Sequence, residues 1–240
     1  MGSLAIALGA VAVVACTRHQ NASTHTEHAH HEEEAADLQA HHADQAIQSM
    51  TDSHSHLGPH FRWTAKRMPA PEDRRRADAT ITALRAALAP YRDYRQAIKD
   101  GYEPFLPHVE QPHYHFTSKW RGFKAAFRFN PAEPTSLLYK KTAEGYALEG
   151  AMYTAPKGAG EDALDERIPL SVAQWHAHVN ICLPPKRGAA QVDWRRFGPR
   201  GSIVTEAECA AAGGRFYPQL FGWMIHVYPF AETAERIWTH

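Results

Sequence analysis

The chain has 240 residues, with 26 Lys plus Arg balanced by 26 Asp plus Glu. That length suits one folded domain of roughly 150 to 200 residues with a full core. Its zero formal charge supplies no global field for DNA or RNA, so no nucleic-acid partner is expected.

Residues 4–15 form an apolar run. A membrane-crossing helix needs about 20 apolar residues, so this shorter run reads as the core of a signal peptide. Its end, Val13-Val14-Ala15-Cys16, resembles the bacterial lipobox, in which small residues precede a cysteine that is lipidated and becomes the mature N-terminus. The expectation is a lipoprotein signal peptide over residues 1–16, a lipidated Cys16, and an exported protein held at the cell envelope by a lipid anchor in the membrane.

Residues 17–60 contain few large apolar side chains beyond Leu38, Ile47, Met50 and Leu57. Such a segment buries too little surface to offset chain entropy, so a disordered tether is expected. Ten of the 17 histidines fall before residue 61, in clusters such as His28, His30, His31 and His54, His56. These clusters either chelate metal loosely or merely bias the composition of a spacer.

The folded domain is expected over residues 61–240. Pro71-Glu72-Asp73 suits a first helical turn, with proline and acids at the positive end of the dipole. Ala77, Ile81, Leu84, Leu88, Tyr91, Tyr94 and Ile98 then recur at spacings of three and four, which marks one buried face. Pro90 should break this run into two helices, and Gly101 should end the second. From Pro104 the pattern turns to strands, predicted at 113–118, 123–129, 136–142, 146–154, 174–183 and 221–230 from their aromatic and β-branched content, although Lys124-Ala125-Ala126 suits a helix equally well. A long loop is expected over 184–200. A short helix should follow over 205–213, with Thr205 and Glu208 placed as a capping box. Helices followed by strands indicate an α+β fold, with N-terminal helices packed on a small antiparallel β-sandwich or barrel.

With Cys16 assigned to the anchor, Cys182 and Cys209 remain, an even number in an oxidising compartment, and a disulfide is expected. The competing reading makes Cys182 a nucleophile beside His178, or a soft metal ligand.

The chemistry concentrates in three histidine-bearing strands: Gln111-Pro-His113-Tyr-His115-Phe, Trp175-His176-Ala-His178-Val-Asn180 and Trp223-Met-Ile-His226-Val-Tyr. Residues i and i+2 of a strand project from one face, so each His-x-His pair can aim two imidazoles at one point. Random placement of the seven histidines beyond residue 60 predicts about 0.3 such pairs, and two occur. A transition ion (zinc, copper, iron or manganese) accepts such nitrogen donors. The expected ligands are His176, His178 and His226, with His115 as the fourth and His113 next. A lone histidine is more often an ordinary imidazole bonded to a backbone carbonyl, so the set carries the signal. Glu149 is placed as an inward ligand or base, or as a solvated strand residue. Asn180 and Gln174, on the face of His176 and His178, are placed either as outer hydrogen-bond partners of a ligand or as strand caps.

Tyr91-Arg-Asp-Tyr94, Asp100-Gly-Tyr102, Tyr114-His-Phe-Thr117, Phe129-Asn-Pro131, Ser136-Leu-Leu-Tyr139, Gly150-Ala-Met-Tyr-Thr154, Trp175-His-Ala-His-Val-Asn-Ile-Cys182 and Phe221-Gly-Trp-Met-Ile-His-Val-Tyr-Pro229 resemble a family of uncharacterised exported bacterial proteins. The likeness runs from about residue 58 to the end and implies export and a shared histidine core, without a reaction. The His-x-His arrangement is also similar to that of cupins, although the glutamate and the glycine-rich frame that follow the first cupin pair are absent here. Three functional classes follow: an envelope protein that buffers, senses or delivers a metal ion; a metal-dependent oxidative or hydrolytic enzyme; and a structural or interaction lipoprotein without metal.

Overall fold

The computed structural model of the chain describes residues 58–105, 107, 111–185, 193 and 195–238. The expected signal peptide, Cys16 and the tether up to residue 57 lie outside them. The fold is α+β, built on one eight-stranded antiparallel sheet. Its strands are β1 (Phe61–Trp63), β2 (Glu103–Pro104), β3 (Tyr114–Thr117), β4 (Ser136–Thr142), β5 (Gly145–Ala155), β6 (His176–Leu183), β7 (Arg215–Gln219) and β8 (Trp223–Val227). They run in the order β1-β6-β8-β5-β4-β3-β2, with β7 also paired to β6.

Alternation along these strands, interrupted in β5 and β6, gives the sheet two faces of different character. Tyr114 and Phe116 of β3, Leu137 and Tyr139 of β4, Ala151 and Tyr153 of β5, Ala177 and Val179 of β6, and Ile225 and Val227 of β8 all enter the main core. That core is shared with helix α1 (Asp73–Leu88), which contributes Ile81, Leu84 and Leu88. The intervening strand residues face the other way and carry the histidines.

The helical periodicity holds through α1, which buries Ala77, Ile81, Leu84 and Leu88. Pro90 falls in a 3₁₀ turn, Ala89–Arg92, and Asp93 caps α2 (Tyr94–Lys99) by accepting a hydrogen bond from the Arg95 amide. The tighter 3₁₀ turn rotates the phase of the buried face. Ala97 is therefore fully buried, whereas Ile98, which the spacing placed in the core, is 49% exposed.

The predicted strand 123–129 does not form: its first three residues end α3 (Lys119–Ala125), which Ser118 caps by accepting from the Arg121 amide, and the rest is turn and loop. Lys124-Ala125-Ala126 favours helix, and the local cap decides the outcome. Helix α4 (Glu161–Arg167), β1 and β7 carry weaker patterns and are additions to the sequence-based elements. The short helix near 205–213 is α5 (Glu206–Ala211), with its capping box formed between Thr205 and Glu208. A final turn of helix, α6 (Ala234–Ile237), follows β8.

Cys182 on β6 and Cys209 on α5 form a disulfide, with Phe197 and Ile203 packed around it in a second small core. A cysteine in that bond is neither a nucleophile nor a ligand, which removes the competing reading of Cys182.

Candidate functional site

The face opposite α1 brings four of the five predicted ligands to one cavity: His115 from β3, His176 and His178 from β6, and His226 from β8. Two strands, β4 and β5, separate β3 from β8. Three strand spacings amount to about 14 Å on a flat sheet. His115 Nε2 nevertheless lies 3.3 Å from His226 Nε2, so the sheet curls toward its histidine face. Ring centres are 5.3 Å apart for His115 and His226, 5.5 Å for His226 and His176, and 5.7 Å for His176 and His178.

These spacings can be compared with the needs of an ion. Tetrahedral coordination with nitrogens at about 2.0 to 2.1 Å sets donor nitrogens about 3.3 to 3.4 Å apart and imidazole centres slightly above 5 Å apart. The His115 and His226 pair matches both lengths. The same pair distance also suits an N–H···N hydrogen bond between rings of complementary tautomer. Among the described residues, no group of three or more His, Cys, Asp or Glu side chains is placed so that it could hold a metal ion as it stands; the four rings line one cavity without forming a preassembled set of ligands.

Burial pushes the His115 imidazole down to about 4, and the neighbouring His113 adds to the effect. At neutral pH the ring is therefore uncharged, the form that donates a lone pair to a metal. His176, His178 and His226 are 1%, 4% and 8% exposed.

The cavity above these rings measures about 400 Å³. Met152 and Met224 form part of its wall, and Phe105 and Phe221 stand at its rim, 41% and 40% exposed. The room for it comes from an irregularity between β7 and β8. Both strands pair with β6, but the register slips by two residues between Val179↔Gln219 and His176↔Met224. The extra chain around Phe221-Gly222 bends away there. A Cβ on Gly222 would lie 2.1 Å from the Ala155 carbonyl oxygen, so only glycine fits this close approach.

His113 stands apart from the cavity lining. It precedes the first paired residue of β3, and its Nδ1 lies 2.6 Å from Glu149 Oε2. Glu149 is the extra residue of a bulge, since Tyr139 pairs with Leu148 and Leu138 with Gly150. Both partners are about one-third exposed, 32% and 29%. Glu149 thus serves His113 rather than the cavity floor.

Asn180 is likewise placed elsewhere. Its side-chain amide donates to the Pro59 carbonyl at 3.0 Å, and Gln174 donates to the Thr64 carbonyl at 2.6 Å. Gln174, just ahead of β6, acts as a strand cap, whereas Asn180 lies inside β6, so its cap reading does not hold and its amide instead ties β6 to the segment before β1. His60, counted with the tether from composition, is buried in the fold, with its ring nitrogens 3.0 Å from Asn180 O and 2.6 Å from Gly201 O. Sequence reasoning did not select Met152, Met224 or Phe221. Alternation with the core residues of β5 and β8 was the available signal for the two methionines. No protein-family model, no curated protein and no solved structure matches the chain.

Proposed function

We propose that the domain binds a transition metal ion through His115, His176, His178 and His226, at the cell envelope, where a lipid-modified Cys16 would anchor the chain in the membrane. The observation that supports this reading is the convergence of four imidazoles from three strands on one cavity, with one pair, His115 and His226, at a donor-nitrogen spacing that suits a shared ion. Nitrogen donors suit zinc, copper, iron and manganese alike, and buffering, sensing or delivery of the ion all need an exchangeable site. The cavity beside the rings favours a second reading, a metal-dependent enzyme in which an open coordination position activates water or dioxygen. A purely structural lipoprotein would need neither the converging rings nor the space above them.

Thermal unfolding of the full chain with and without zinc, cobalt or copper tests the proposal. An ion that binds only the folded state at 100 times its dissociation constant adds about 2.7 kcal/mol, which raises the melting temperature of a domain this size by about 5 to 10 °C. That rise should vanish in the His176→Ala plus His226→Ala variant. Histidines before residue 58 are common to both proteins, so they cancel in the comparison. A melting temperature indifferent to all three ions, or an equal rise in the double variant, would reject the metal site.

A further inference from the structure

The walls of the cavity differ in chemistry from its floor. Three threonines line it, but Thr135 and Thr154 hydrogen-bond to each other at 2.8 Å, and Thr117 pairs with Ser136 at 2.8 Å. Each pair uses one hydroxyl as donor and the other as acceptor, so part of the wall's hydrogen-bonding capacity is already taken up within the protein. Among the described residues no Asp, Glu or Arg lines the cavity, and its one cation, Lys157, donates to the Gln219 carbonyl at 2.9 Å. A sugar or a phosphate ester, with many groups to rehydrate or pair, finds few partners on these walls. An apolar body would lose nothing, and Met152 and Met224 supply soft, adaptable contact.

Depth orders these groups. The imidazoles of His176, His178 and His226 are nearly inaccessible, whereas Phe105 and Phe221 stand at the surface. The mouth is thus aromatic and the far end nitrogen-rich. Helix α3 extends the apolar mouth outward. It turns Gly122 toward the cavity, with Ala126 just beyond its end, and exposes Trp120 and Phe123 to solvent at 65% and 56%, their rings stacked 5.5 Å apart. A cavity of about 400 Å³ lies in the range of about 300 to 1,000 Å³ found for small-molecule sites.

We infer that this cavity takes an apolar, ring-sized small molecule ending in a single nitrogen or oxygen donor, its body held by the methionines and phenylalanines and its donor directed at the histidine floor. The donor end rests on the metal reading above, whereas the apolar body rests on the cavity alone. Calorimetric titration of the zinc-loaded full chain tests both halves with three probes. These are 4-phenylimidazole, which has both parts; imidazole, which lacks the body; and biphenyl, which lacks the donor.

The expected result is that 4-phenylimidazole binds at least tenfold more tightly than either fragment. Ala126→Trp should plug the exposed mouth and weaken it at least tenfold, while the zinc-dependent rise in melting temperature persists. Gly122→Leu is a second plug, because a Cβ there meets only the Thr135 methyl at 3.4 Å. Binding of 4-phenylimidazole no tighter than imidazole, or unaffected by both plugs, overturns the inference with the metal site intact. Equal binding of biphenyl and 4-phenylimidazole overturns the donor-ended class. Absence of any zinc-dependent rise identifies the metal reading as the part that failed.

Discussion

Asn180 sits within β6 at φ 55°, the one non-glycine residue with positive φ among those described. The left-handed region costs an ordinary L-residue about 1 to 2 kcal/mol, and asparagine tolerates it better than most. Its side chain bonds Pro59, and its own carbonyl faces His60 Nδ1, so one strained residue ties the start of the domain to the histidine strand. Asn180→Ala should lower stability by about 2 kcal/mol in urea unfolding, with Asn180→Gly less damaging because it keeps the backbone conformation. His115 makes a pH-dependent contribution of its own. An unfolded histidine takes up its proton near pH 6.5, whereas folded His115 does so at about 4. Between those values the unfolded chain binds more protons, so stability is full above the upper value and falls as pH drops toward the lower one. In metal-free protein this group should cost on the order of 1 to 2 kcal/mol between pH 7 and pH 5, because the ring faces a cavity that softens its desolvation. Urea titrations of wild type and His115→Gln in chelator should show a shallower pH slope for the variant.

At the scale of elements, alternation was the signal that made the site legible. His176, His178 and His226 share a face because their neighbours Ala177, Val179, Ile225 and Val227 fill the core on the other side. The same rule failed for His113. It lies ahead of β3, where no pairing fixes its direction, and the bulge that delivers Glu149 to it arises from a register shift that one strand's sequence does not encode. The segment 123–129 was open to both readings, since Phe123, Phe127 and Phe129 suggest a strand and Lys124-Ala125-Ala126 a helix; the Ser118 cap and the exposed aromatic rings belong to a surface helix and the turn after it. The curl that joins His115 to His226 across two intervening strands is equally invisible before pairing is known. Cysteine counting did identify the Cys182–Cys209 link, which closes 27 residues between β6 and α5. The chain-entropy model assigns such a loop about 3.5 kcal/mol. The Cys182→Ser plus Cys209→Ser variant should lose that much in denaturant unfolding, and an unchanged midpoint would contradict it.

At the scale of the whole molecule, one sheet has its two faces divided between different tasks. The face toward α1 is filled by large side chains such as Tyr102, Tyr114, Tyr139 and Trp175, all nearly inaccessible. The other face is left with methionines, threonines and imidazoles around empty volume. Antiparallel sheets tolerate such a division because their stability needs only one packed face. The hydroxyls of Tyr139 and Tyr102 donate to backbone carbonyls, of Tyr91 at 2.7 Å and of Pro134 at 3.0 Å, so these two polar groups of the packed face serve the fold. Reactive groups are thereby concentrated on the side that keeps room for a visitor.

Strand β6 joins these scales. It is bordered by β1, β7 and β8, carries His176 and His178 near its start, and is stapled to α5 through Cys182 near its end. Its histidine end is paired to β1 on one edge and to β8 at His176 on the other, while its far half is paired to β7 and linked to α5, so local opening of this strand has to break several partners at once. On the proposed reading, an occupant of the cavity would leave past Phe105 and Phe221, the exposed rings at its rim.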